Sequence, residues 1–210
     1  MLQRNNIDYI KDILLKNDEL QVVSYNDIKN IPSNDLLLFM HERGIYCLPT
    51  KELIEFLQTE IDGEMAVEIG AGHGAIGRQL GIISTDSYLQ QKQSIQKYYA
   101  IMQQPVVKYG VNVLKYDAID AIYKFQPHTV VGAFITHKYS QQFHYHEGNV
   151  WGVDERKLLS KVKKYIFIGN EYTHNKKIIK QLNPKFRTLK FDWLVTRCQT
   201  PSMNCIWIWE

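Results

Sequence analysis

The sequence predicts an α/β protein: a mostly parallel seven-stranded sheet with helices on both faces, closed by an antiparallel C-terminal hairpin and preceded by a helical N-terminal extension. Three observations predict it. From residue 65 onward, short apolar runs alternate with helical stretches, a rhythm that demands crossover connections between parallel strands. The last two apolar runs have no helix between them, so they are expected to pair antiparallel. Before residue 49 the apolar residues recur at helical spacing.

Ile7, Ile10, Ile13 and Leu14 mark one face of a first helix. Asn34 and Asp35 precede the apolar run at residues 36–40, and Gly44 breaks the pattern. Pro49-Thr50 is a helix start, because a threonine hydroxyl can accept from the free amides of the first turn. The helix at 51–60 then places Leu53, Ile54 and Leu57 together. The chain is accordingly divided into a helical extension, residues 1–48, and an α/β domain, residues 49–210. Strands are expected at 65–69, 82–85, 111–114, 130–135 and 165–168, with helices at 75–80, 88–103, 117–125, 153–162 and 176–182. The closing strands are expected at 187–198 and 204–209, joined through residues 199–202.

Composition narrows the functional classes. In 210 residues, 45% are hydrophobic and 22% charged, which excludes a disordered chain, a fibre or a coiled-coil rod. No apolar run approaches the roughly 18 residues of a membrane span, so no membrane association is expected. A net charge of +3 is too mild to announce a nucleic-acid binder, and the basic stretches at 161–164 and 176–180 read as solvated helix faces. Cys47, Cys198 and Cys205 form no CxxC pair, and the first residues hold no apolar signal core. Both features predict a cytoplasmic protein.

The sharpest local signal runs from Val67 to Gly77, Val-Glu-Ile-Gly-Ala-Gly-His-Gly-Ala-Ile-Gly, at the end of the first predicted strand. Glycine lets backbone approach a ligand closely, and open α/β sheets bind ligands beyond the carboxyl ends of their strands. Asp86 ends the second strand, 16 residues after Gly70, where it can hold the hydroxyls of a ribose. Asp117 follows the third strand, where it can accept from an adenine amine. Each has a plainer reading: the glycines as a tight turn, and both aspartates as helix caps.

These residues resemble a known family. Glu68, Gly70, Ala71, Gly72 and Gly74 resemble motif I of the class I S-adenosylmethionine-dependent methyltransferases. Thr85-Asp86-Ser87 resembles motif II and Tyr116-Asp117-Ala118 motif III, while residues 130–139 fall where motif IV belongs. The resemblance implies a Rossmann-like fold and S-adenosylmethionine as cofactor. The glycines and Glu68 would lie about its methionine part, Asp86 and Ser87 at the ribose, and Asp117 and Ala118 at the adenine. Pro49-Thr50 is also similar to an extra motif of some nucleic-acid methyltransferases.

In amine-methylating nucleic-acid enzymes, the motif IV slot holds an Asn/Asp/Ser-Pro-Pro-aromatic tetrapeptide. Here it reads Thr136-His137-Lys138-Tyr139. His137 is the candidate base and Tyr139 the candidate positioning residue, with Asn170 and His174 as secondary candidates. Residues 143–149 could form an acceptor lid, and His144 with His146 has the look of a weak metal pair, although no metal is expected. Two rival functions remain open: a non-catalytic partner or sensor built on the same fold, and an NAD-dependent oxidoreductase, because Gly72, Gly74 and Gly77 also satisfy GxGxxG. Glu68 argues against the latter, because a carboxylate two residues before the first glycine would repel a pyrophosphate. The sequence names neither the methyl acceptor nor the oligomeric state.

Overall fold

A computed structural model describes residues 7–143 and 148–210. The extension comprises α1 (Asp8–Leu14), a two-residue pair β1 (Leu15–Lys16) and β2 (Glu19–Leu20), α2 (Tyr25–Ile28) and α3 (Ser33–Glu42). The remaining elements are α4 (Lys51–Ile61), β3 (Ala66–Ile69), α5 (Ala75–Leu80), β4 (Ile83–Asp86), α6 (Gln93–Ile101), β5 (Val113–Lys115) and α7 (Ala118–Phe125). They continue through β6 (Thr129–Ala133), α8 (Glu155–Leu159), β7 (Lys164–Asn170), α9 (Ile179–Leu182), β8 (Arg187–Leu189) and β9 (Asn204–Trp209).

The sheet has seven strands in the order β5-β4-β3-β6-β7-β9-β8. Six run in the same direction, and β9 runs antiparallel between β7 and β8. The strand order reverses at β3, which places a crevice beyond its carboxyl end. Buried apolar side chains cover both faces. One cluster joins Leu53, Leu57 and Ile61 of α4 to Val131, Ile166 and Ile206. The other joins Ala121 and Ile122 of α7 to Val67, Val130, Phe167 and Trp207. The extension has its own core of Ile10, Leu14, Phe39 and Met40, and that core takes in Ala75 of α5. Thr50 caps α4, its hydroxyl accepting from Leu53 N–H at 3.2 Å.

Three expectations need correction. The penultimate strand is only Arg187–Leu189, and residues 190–203 leave the sheet because Phe191 and Trp193 stack on each other and pack against Phe56 of α4. Farther on, Val195 and Arg197 bond back to Leu48 and Tyr46. The helix expected at 88–103 is a 3-10 turn, Leu89–Gln91, followed by α6, and no residue of α6 is buried. The strand expected at 130–135 stops at Ala133, because Phe134 adopts a left-handed φ of 55° and turns the chain.

Candidate active site

The glycine loop, residues 70–74, leaves β3 at the switch in strand order. Gly70 has φ +59°, where any larger residue is strained, and a Cβ there would also displace Ile135 Cδ1, 2.4 Å away. Gly77 lets α5 approach the sheet: a Cβ on it would meet Ser84 Oγ at 2.0 Å and Glu68 Oε2 at 2.6 Å. That proximity serves Glu68, which is buried beneath the loop. One of its carboxylate oxygens accepts from Gly77 N–H and from Ser84 Oγ–H, each at 2.9 Å. Burial pushes Glu68 up to about 7 despite those two bonds, with Asp86 adding a further upward push.

Asp86 ends β4 and folds back onto the loop. One oxygen accepts from Gly72 N–H at 3.1 Å, the other from Tyr88 N–H at 3.0 Å. Both oxygens are thus engaged by the chain's own backbone. Burial raises Asp86 above its ordinary value, and these bonds offset part of the rise.

Glu68, Gly70, Ala71 and Gly72 line one cavity of about 70 Å³. Leu20, Gly44 and Tyr46 of the extension and Val107 of the β4–β5 connection close it from above. Cys47 lines it too, but burial pushes its thiol up to about 12, so it stays protonated and is no nucleophile. The donor and acceptor set suits a cationic nucleoside: a buried carboxylate under the glycine loop and a second at the neighbouring strand tip. The volume does not suit one, because ligand pockets run to roughly 300–1,000 Å³.

The other expected cofactor residues stand apart. Gly74 is buried against Asn112 and Val113. Ser87 is exposed and Ala118 half-buried. Asp117 is exposed and caps α7, accepting from Ile119 N–H at 2.8 Å and Asp120 N–H at 3.3 Å. This is the plainer of its two readings.

His137 and Tyr139 fall on a second region, past the end of β6. His137 is only 6% exposed and packs beneath Gly148, where a Cβ would meet its Nε2 at 2.5 Å. Tyr139 is 40% exposed. Both line a cleft of about 200 Å³, and His137 shares a second, of about 230 Å³, with Ile135, His174 and Lys177. Burial, helped by Lys177, pushes His174 down to about 4, so it is neutral. Asn170 is a structural residue: its amide N–H₂ donates to Thr200 O at 3.0 Å and to Asn204 Oδ1 at 2.9 Å.

Sequence reasoning missed a buried ion pair beside this region. Lys177 Nζ lies 2.6 Å from Glu155 Oε1 and donates to Ile135 O at 2.6 Å, while the Tyr165 hydroxyl donates to the same carboxylate at 2.8 Å. Glu155 Oε2 is buried with no hydrogen-bond partner among the described residues. Burial raises Glu155 and lowers Lys177, each shift partly offset by the other's charge. Nothing in the local sequence joins residues 22 apart across two elements.

Among the described residues, no three His, Cys, Asp or Glu side chains cluster to hold a metal. His144 and His146 lie outside the described residues, as does most of the expected lid. No described helix is long and apolar enough to cross a membrane.

No protein-family model matches the sequence, and no curated protein matches it either. Solved structures do resemble it. The Pyrococcus abyssi tRNA (uracil-54, C5)-methyltransferase, in complex with S-adenosyl-L-homocysteine, is 11% identical at a TM-score of 0.39, over 75% of this chain and 36% of that one. This chain therefore spans about a third of that protein's length. Protein 1320 of Thermoplasma acidophilum is 12% identical at 0.39, over 84% and 94%. The CurJ carbon methyltransferase is 9% identical at 0.37, over 84% and 57%.

Proposed function

We propose that the chain is an S-adenosylmethionine-dependent methyltransferase of the cytoplasm, with its cofactor at the glycine loop. One observation carries this reading: a glycine loop at the strand-order switch, with Glu68 buried under it and Asp86 at the next strand tip. Glu68 would face the positive charge of the methionine part, and the backbone of Gly70 and Gly72 would lie against it. Asp86 would hold the ribose once its present bonds are exchanged. When bound, the cofactor supplies an activated methyl group, so the chain's work is to place an acceptor in line with it. That acceptor would approach past β6, where His137 and Tyr139 stand. Thr136–Tyr139 lacks the prolines and the amide or acid that grip an exocyclic amine, which weighs against an amine of DNA as acceptor.

Titration calorimetry with S-adenosylmethionine and with NAD tests the cofactor. Binding of the first alone supports the proposal, whereas binding of NAD alone sinks it. Methyl release against mixed metabolite, protein and nucleic-acid pools then tests transfer. A second reading, binding without transfer, is favoured by the burial of His137, and cofactor binding with no methyl release from any pool would establish it.

A further inference from the structure

We propose that residues 104–110 are an autoinhibitory strap that occupies the cofactor groove and must be displaced before a nucleoside can bind. This rests on the methyltransferase reading of the glycine loop. Gly110 N–H donates to Gly72 O at 3.1 Å, using the loop's own backbone. Val107 lies directly over Gly72, its Cγ2 3.1 Å from where a Cβ would stand, and it lines the narrowed cavity. The Tyr109 hydroxyl accepts from Gln90 N–H at 3.2 Å. The Tyr109 ring stacks on Tyr88 at 4.1 Å, and Val107 N–H donates to Gln90 Oε1 at 2.7 Å. The strap thus uses the loop face that a nucleoside would use, so the two compete.

The attachment is light. Val106 is exposed, Lys108 is tied among the described residues only by a solvent-exposed ion pair to Asp18, and α6, which leads into the strap, buries nothing. A segment held by a few half-exposed bonds opens locally without global unfolding. Apparent affinity for a ligand falls in proportion to the open fraction, so loosening the strap tightens binding.

The test compares S-adenosylhomocysteine affinity of the native chain with that of Gln90→Ala/Tyr109→Phe, which removes the acceptors of Val107 N–H and of Gln90 N–H but keeps the ring stack. Two ordinary hydrogen bonds lost from the closed state predict binding roughly tenfold tighter or more. Equal affinity in both chains overturns the strap and leaves the cofactor reading standing; binding to neither overturns both. Hydrogen exchange on the native chain gives a second readout that needs no substitution. Saturating S-adenosylhomocysteine is expected to speed exchange at Val107 and Gly110, and unchanged or slower exchange there overturns the proposal.

Discussion

Replacing Glu68 with glutamine removes a titratable proton from the floor of the glycine loop while keeping its shape. The glutamine carbonyl can still accept from Gly77 N–H and Ser84 Oγ–H, so packing is preserved. Burial pushes the native carboxyl up to about 7 from its ordinary 4.5. The folded chain therefore holds this proton more tightly than the unfolded chain. The stabilisation is complete below the unfolded value and is lost as pH rises through the folded one. Each pH unit across that gap is worth about 1.4 kcal/mol, or about 3 kcal/mol in all. For a chain of this size that amounts to roughly 6–12 °C in melting temperature.

The assay is thermal melting of both chains from about pH 4 to pH 8. Subtracting one curve from the other cancels the remaining carboxylates. The native chain should lose stability relative to Glu68→Gln as pH rises. A difference that stays flat, or slopes the other way, refutes the assignment of a raised Glu68. The same proton governs ligand affinity: a cation above the loop prefers the ionised carboxylate, so S-adenosylmethionine should bind the native chain more tightly at about pH 8 than at pH 6, and Glu68→Gln equally at both.

The other substitutions probe packing around the same crevice. Lys177→Met leaves Glu155 as a buried charge without its cation, and should cost about 3–5 kcal/mol in urea unfolding, with Lys177→Met/Glu155→Leu recovering most of it. A double variant no more stable than the single would show that a stranded Glu155 charge is not what the single variant suffers from. Gly77→Ala drives a methyl into Ser84 and Glu68 and should destabilise by roughly 1–3 kcal/mol in the same experiment. Adding Ser84→Ala removes the nearest clashing atom and should restore part of the loss.

The sheet was legible because its cause is local. Apolar runs at 65–69 and 165–168, separated by helical stretches, leave few topologies, and Thr50 announces its helix in two residues. Segment 88–103 misled for the opposite reason. Its pattern resembles a packed crossover helix, yet Tyr98, Ile101 and Met102 of the observed helix and its cap are all exposed, Ile101 at 79%. The glycine loop could be read because its conformational demand is written in consecutive residues. Its cover could not: Val107 meets Gly72 across 35 positions, and neither residue carries a periodic or motif signal for the other. Asp117 shows the limit from another side. The same residue type in the same place serves a cap or a ligand, and only the hydrogen-bonded geometry tells them apart.

β5 sits at one margin of the sheet and pairs with β4 at only three positions, while the tryptophans of β9 are stacked in the opposite half, Trp207 on Phe167 and Trp209 on Tyr165. Loosening at that margin would leave the central strands zipped, as a small foldon detaching from a stable block. The intrinsic fluorescence of Trp207 and Trp209 would be blind to such an event. A probe meant to follow it has to ride on the margin itself.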